Sequence, residues 1–295
     1  MAPFFRRPIS EIKRKNRRRT PGAVDWKQTV KWTIFFFVMP GCVAHLLEAG
    51  EDTRLKQVLA GNQRPEESKA RDLYRHPYET LTFFGIGEDM TVIEVWPGAG
   101  WYTEILAPYL KDKGKLIAAL YDRDPATQKP WMARSNTGFE QKCGDNNEVF
   151  GKVGMAALLT DEESELAPPG SVDMILDFRN AHNWMGWGPD NVVQAWHRAL
   201  KKGGVVGLID HRMDDDKPYD PQNGYTHENQ IVAIMEKHGF KLVARSDINR
   251  NPADTKDHPR GVWTLPPTFA LGDKDREKYR SIGESDRMTL KFVKL

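Results

Sequence analysis

The stretch richest in chemistry is Val92-Ile93-Glu94-Val95-Trp96-Pro97-Gly98-Ala99-Gly100-Trp101-Tyr102. It sets an acid near the end of an apolar run, then a glycine-rich turn, then a segment of helical character. Gly98 and Gly100 let the backbone bend sharply and let a ligand come close. The open N–H groups of a following helix favour negative ligand groups. Glu94, just ahead of the turn, can oppose a cationic amino group or its bound water, so the combination suits a zwitterionic ligand. A dinucleotide fingerprint needs its third glycine where Thr103 stands, which disfavours a nicotinamide dehydrogenase. The plainer alternative is an ordinary tight strand-to-helix turn.

Such a loop needs a strand before it and a helix after it, and the chain supplies that alternation repeatedly. Apolar runs predict strands at Thr91–Val95, Lys115–Leu120, 152–158, Val172–Phe178, 205–210, Phe240–Ser246 and 286–294. Helices are expected at 76–84, 102–110, 191–200 and 227–238. Residues 121–150 read as irregular with room for one helix, and 249–284 as a Pro-containing insertion. The expected fold class is α/β: a Rossmann-like, doubly wound, mostly parallel sheet of about seven strands, the last one antiparallel. In such a sheet ligands bind at the carboxyl ends of the strands. That rule selects Arg179, Asn180, His182, Asn183 and Trp184 after the fourth strand, and Asp210, His211 and Arg212 after the fifth.

Several motifs together resemble a known group. They are Arg75-His76-Pro77 with Glu79-Thr80, Glu94-Val95-Trp96-Pro97-Gly98 with Gly100-Trp101-Tyr102, and Arg179-Asn180 with His182-Asn183-Trp184. The others are Asp210-His211-Arg212, Gly261-Val262-Trp263-Thr264-Leu265-Pro266-Pro267 and the run from Gly283 to Phe292. From about residue 70 to the end, the sequence is similar to a group of bacterial predicted class I methyltransferases whose members often look exported. The resemblance implies S-adenosylmethionine as cofactor, with Glu94, Trp96, Gly98 and Gly100 in its loop. It also shows two departures from the wider superfamily. Trp96 and Pro97 stand where the loop usually starts with glycine. Leu120 stands where an acid usually meets the ribose, and Asp122 is the nearest substitute.

Methyl transfer from a sulfonium is an in-line displacement that needs an oriented nucleophile and, for oxygen or nitrogen acceptors, often a base. His182 is the base candidate, since histidine titrates near neutrality. Asp210 can orient it or hold a substrate amine. Trp101, Tyr102, Arg179, Asn183, Trp184 and His211 are expected to line the acceptor pocket, the tryptophans as walls or as partners of the sulfonium charge. The run Trp263–Pro267 could be a lid. Arg287 is expected to make a structural ion pair. Asp214-Asp215-Asp216 reads as a solvated turn, and no metal site is expected. The competing reading is a non-catalytic exported protein that keeps the methyltransferase fold.

Composition bounds the rest. The chain has 295 residues, 39% hydrophobic and 28% charged, with a mean hydropathy of -0.62, as in a soluble globular protein. Residues 1–31 carry ten Lys and Arg against Glu11 and Asp25, so the remainder of a chain with net charge +2 is acidic. That argues against general nucleic-acid binding, and the partner expected of a methyltransferase here is a small-molecule substrate. Cys42 and Cys143 match no zinc spacing or disulfide framework. Residues 1–44 read as a basic segment and signal peptide with the apolar run Trp32–Met39 and cleavage near Ala44, giving an exported or periplasmic protein without a stable membrane span. A cytoplasmic protein with a basic tail is the alternative. Residues 45–70 read as a linker helix and 71–295 as the domain.

Overall fold

The computed structural model describes residues 51–295 except positions 125, 127 and 162. Its strands are β1 (Thr91–Val95), β2 (Lys115–Leu120), β3 (Gly154–Ala157), β4 (Val172–Phe178), β5 (Leu200–Met213), β6 (Thr226–His227), β7 (Phe240–Ser246) and β8 (Arg287–Lys294). They are ordered β3-β2-β1-β4-β5-β8-β7, with the short β6 beside the end of β5. From β3 to β5 neighbours run parallel, and β8 is antiparallel to both β5 and β7. The mostly parallel sheet with an antiparallel last strand is therefore present. Strand order reverses between β1 and β4, and at such a point the carboxyl ends of the strands open a crevice.

Alternate residues of β1 serve opposite faces. Ile93 and Val95 pack with Val192 and Trp196 of helix Pro189–Ala199 and with Ile231 and Met235 of helix Glu228–Lys237. Val92 packs with Leu81 and Phe84 of helix Pro77–Phe84 and with Ile105 and Leu106 of helix Thr103–Leu110. Glu94 shares the face of Val92, so its carboxyl is carried under helix Thr103–Leu110 and out of water.

Four features differ from the sequence reading. The stretch expected as a linker helix belongs, from Glu51 on, to the compact unit that ends at Leu295. Within it, helix Thr53–Ala60 buries Leu55 and Val58, three apart on one face, in the cluster of Ile105 and Leu106. Strand β5 overruns 205–210 at both ends because β4 and β8 offer it partners from Val172↔Leu200 to His211↔Arg287. Residues 121–150, with room for one helix, hold two: Asn147–Phe150 follows Pro130–Asp145, which is begun by a proline at a position where the missing N–H costs nothing. Helix Ala181–Trp187 follows β4 directly, where the sequence pattern predicts no helix. The expected export segment and the cleavage near Ala44 lie outside the described residues. Among the described residues no helix is long and apolar enough to cross a membrane.

Candidate active site

Strand β1 ends in the glycine loop, where Trp96, Gly98 and Gly100 have φ of 38°, 59° and 75°. Glycine enters this left-handed region freely, and a bulky residue only under strain. Among the described residues, its chain neighbours aside, nothing lies within 4 Å of the place a Cβ on Gly98 would take. Glu94 is buried and accepts a hydrogen bond from Thr103 Oγ1 at 2.6 Å. Burial pushes its carboxyl up to about 7, against the opposing Thr103 bond and the charge of Lys142. An incoming cationic group would favour its ionised form.

Trp96 is the departure with the largest consequence. Its N–H donates to the Ala119 carbonyl at 2.8 Å. Its ring stacks on Tyr121 at 4.8 Å and meets Trp187 at 5.7 Å. Helix Pro130–Asp145 closes the other side. Asn136 Nδ2 donates to the Tyr121 carbonyl at 3.0 Å, and its Oδ1 accepts from the Tyr121 N–H at 3.1 Å. Lys142 Nζ donates to the Ala99 carbonyl at 3.0 Å. Between Gly98, Trp96, Tyr121, Asn136 and Phe139 the packing leaves no room even for a water-sized group, whereas small-molecule sites take roughly 300 Å³ or more. Any ligand that enters beside the loop backbone needs helix Pro130–Asp145 to stand off. Leu120 is buried and offers no acid. Asp122, two residues further, accepts the Asp124 N–H at 2.9 Å.

The second cluster sits at the carboxyl ends of β4 and β5. Asp210 is fully buried and accepts the N–H groups of His182 at 2.6 Å and His211 at 2.8 Å. Its Oδ1 is also 3.0 Å from His182 Nδ1. A carboxylate on Nδ1 holds the proton there and leaves Nε2 as the basic nitrogen. The His211 ring lies 5.3 Å from that of His182 and its Nδ1 bonds Ser285 Oγ. Burial pushes the His211 pKa well below the usual value, and the charges of His182, Arg179, Arg287 and Arg75 push the same way, so its ring is neutral. The possible ligand atoms of His182, Asp210 and His211 lie within 4.8 Å of one another. Three guanidinium charges nearby and the hydrogen bonds already made by Asp210 oppose a metal cation there.

Other expected pocket residues take different places. Trp184 is a core residue and not a pocket wall. Its Nε1 donates to Asp177 Oδ2 at 2.8 Å and its ring meets Trp196 edge-on at 5.4 Å. Two residues along a helix is a turn of ~200°, so Trp184 points away from His182. Trp101 is also not a wall. Its Nε1 donates to the Ser68 carbonyl at 3.0 Å, and Arg64 and Arg75 sit over its ring at 5.1 Å and 4.5 Å. Tyr102 stacks on Phe178 at 3.5 Å. Burial pushes its phenol up to about 12 against the pull of Arg75, Arg287 and Arg179, which places it within reach of their charges. Asn183 is half-buried, and its N–H donates to the Asn180 carbonyl at 2.9 Å. Asn180 itself donates to the Val95 carbonyl at 2.9 Å and so ties the end of β4 to the glycine loop. Trp263, in the expected lid, is edge-on to His182 at 6.1 Å.

Two groups escaped the sequence reading. Asp177 is fully buried beside Trp184, and its Oδ1 has no hydrogen-bond partner among the described residues. Burial pushes its carboxyl up to about 7, Trp184 opposes this, and Asp210 adds to it. The signal for it was an acid inside an apolar strand. Glu284 joins Arg71 at 2.7 Å, Arg75 at 3.1 Å and Arg287 at 3.0 Å. Its signal was present in the Arg75 and Glu284–Arg287 motifs, which the fold brings together from opposite ends of the domain.

No protein-family model and no curated protein matches the sequence. Solved structures do match in shape. A SAM-dependent methyltransferase from Aquifex aeolicus is 19% identical, with TM-score 0.51 over 78% of this chain and 98% of its own. The [4+2]-cyclase SpnF is 15% identical, with TM-score 0.51 over 82% and 92%. A geranyl diphosphate methyltransferase in complex with SAM is 12% identical, with TM-score 0.50 over 84% and 93%. The fold is that of class I methyltransferases. A methyltransferase fold does not name its reaction, as the cyclase among these neighbours shows.

Proposed function

We propose that the chain is an S-adenosylmethionine-dependent methyltransferase that deprotonates an oxygen or nitrogen acceptor through His182, with Asp210 as the residue that orients it. The observation that carries this reading is the His182–Asp210 pair, 3.0 Å apart, at the ends of β4 and β5, where β4 pairs with the strand leading into the glycine loop. When bound, the cofactor supplies an electrophilic methyl group on a sulfonium. Gly98, Gly100 and the N-terminus of helix Thr103–Leu110 would take its carboxylate, and Glu94 its amino group. Asp210 keeps the proton on His182 Nδ1, so that Nε2 accepts the proton of the acceptor as its oxygen or nitrogen bonds to carbon. Asp210 thereby stabilises the imidazolium that forms.

A second reading, a non-catalytic protein that keeps the fold, is favoured by the Trp96–Tyr121 stack and the narrow space beside Gly98. Calorimetric titration of the full chain with S-adenosylmethionine and S-adenosylhomocysteine separates the two. Binding that Gly98→Ala weakens at least tenfold, in a variant with an unchanged far-UV spectrum, supports the enzyme. No binding of either compound leaves the second reading.

A further inference from the structure

Around the strand-end pair His182 and Asp210 lie four guanidinium groups, more positive charge than Glu284 and Asp210 together neutralise. Arg71, Arg75 and Arg287 all pair with Glu284. A fourth guanidinium, Arg179, is within electrostatic range of the same carboxylate. Burial would raise the Glu284 carboxyl, but the charges of Arg75, Arg287, Arg179 and Arg71 outweigh it and hold the group at about 2. Four guanidinium groups thus face one carboxylate. A guanidinium does not escape by losing its proton, and a buried charge without a counter-charge is costly. Arg75 and Arg287 are buried, with Arg75 Nη2 and Arg287 Nε lacking any hydrogen-bond partner among the described residues.

A structural tie between residues 71–75 and β8 accounts for Glu284 and the three arginines bonded to it. It does not account for Arg179. This residue follows β4 directly and is held at φ 66°, with its N–H given to the Ile209 carbonyl at 2.7 Å. Its guanidinium makes no hydrogen bond or ion pair among the described residues, and the residue as a whole is half-buried. Strain at a long polar side chain beside a catalytic pair is a mark of function. The register places Arg287 opposite His211 across β5 and β8, and His182 is three residues beyond Arg179. The unneutralised charge and the basic nitrogen therefore lie at the same strand ends.

We infer that these strand ends bind an acceptor carrying an anionic group, a carboxylate or a phosphate, with Arg179 as the contacting fork and Arg75 and Arg287 reinforcing it from behind. The inference rests on the reading of the strand ends as the acceptor site. Arg179 can grip two oxygens of such a group in parallel. The field of the two buried arginines, poorly screened in the interior, adds to its hold.

The test is calorimetry and thermal unfolding of the full chain with inorganic phosphate and with acetate, in the absence of S-adenosylmethionine, against sodium chloride of equal ionic strength. Saturable binding of phosphate or acetate is expected. Arg179→Gln should weaken it at least tenfold, and Arg245→Gln, at an exposed arginine paired with Glu228, should leave it unchanged. Arg179→Lys keeps the charge without the fork and should weaken it severalfold, which gives a reading even if Arg179→Gln misfolds. Preference for phosphate or for acetate tells the two anions apart. A response to both no larger than to chloride, or full affinity in Arg179→Lys and Arg179→Gln, overturns the inference. A parallel titration with S-adenosylmethionine separates the two ideas. Anion binding without cofactor binding keeps the anion site and removes the methyltransferase reading, and cofactor binding without anion binding overturns the anion site alone.

Discussion

At the scale of single residues, the sheet ends concentrate groups whose protonation differs from that in water. Glu94 has its folded value raised from an ordinary 4.5 to about 7, so the stability it contributes is full below pH 4.5 and is lost as pH rises through about 7. Glu94→Gln keeps an acceptor for the Thr103 hydroxyl and removes that loss. Urea unfolding should show the variant more stable than the parent at pH 8, by on the order of 3 kcal/mol, and the gap should close at pH 4. Equal pH slopes for the two proteins would show that the carboxyl is not buried as described. Asp177→Asn should act with the same sign, since Asp177 is raised from 3.8 to about 7. At the base, His182→Ala should lower turnover of an identified acceptor roughly 10²- to 10⁴-fold while cofactor affinity stays within a factor of two. An equal loss in both would move His182 from the acceptor side to the cofactor side.

At the scale of elements, helix Pro130–Asp145 decides how the glycine loop is reached. It is held by the paired bonds of Asn136 to Tyr121 and by the reach of Lys142 to Ala99 and Glu104. Only Asn136, Phe139 and Cys143 of its residues are buried, so its packing is thin beside that of helix Thr103–Leu110, where seven of eight are. Elements with few buried contacts open at low cost. Asn136→Ala should therefore speed cofactor association several-fold in stopped-flow measurements and raise hydrogen exchange across 130–145. An unchanged association rate with raised exchange would mean that the helix opens without controlling entry.

At the scale of the whole molecule, Glu284 joins the segment before helix Pro77–Phe84 to the start of β8, more than 200 residues away (|i−j| of 209 to Arg75). Its removal leaves Arg75 and Arg287 buried without their counter-charge. Glu284→Ala should cost about 3–5 kcal/mol in urea unfolding. Because the folded value lies below the ordinary 4.5, the contribution of Glu284 is present above pH 4.5 and is lost as pH falls through about 2. The variant should accordingly show a shallower loss of stability than the parent between pH 5 and 3. A cost below about 1 kcal/mol would show that solvent reaches the arginines and screens them.

The strands and the two clusters at their ends were legible from sequence because they are local. Apolar runs such as Val172–Phe178 carry their own β signal, and the strand-end rule then names His182 and Asp210 without knowledge of any contact. Trp96 in a loop that needs φ above zero was likewise visible as an anomaly in the sequence. Which way a side chain faces was not. His182 and Trp184 stand two apart in one motif, yet helix Ala181–Trp187, absent from the sequence reading, turns one to the crevice and the other to the core. The closure of the loop by Asn136, the burial of Leu55 and Val58, and the gathering of Arg75, Arg179, Glu284 and Arg287 depend on residues far apart in the chain. Such pairings follow from how the sheet and its covering helices pack, and no window of sequence contains them.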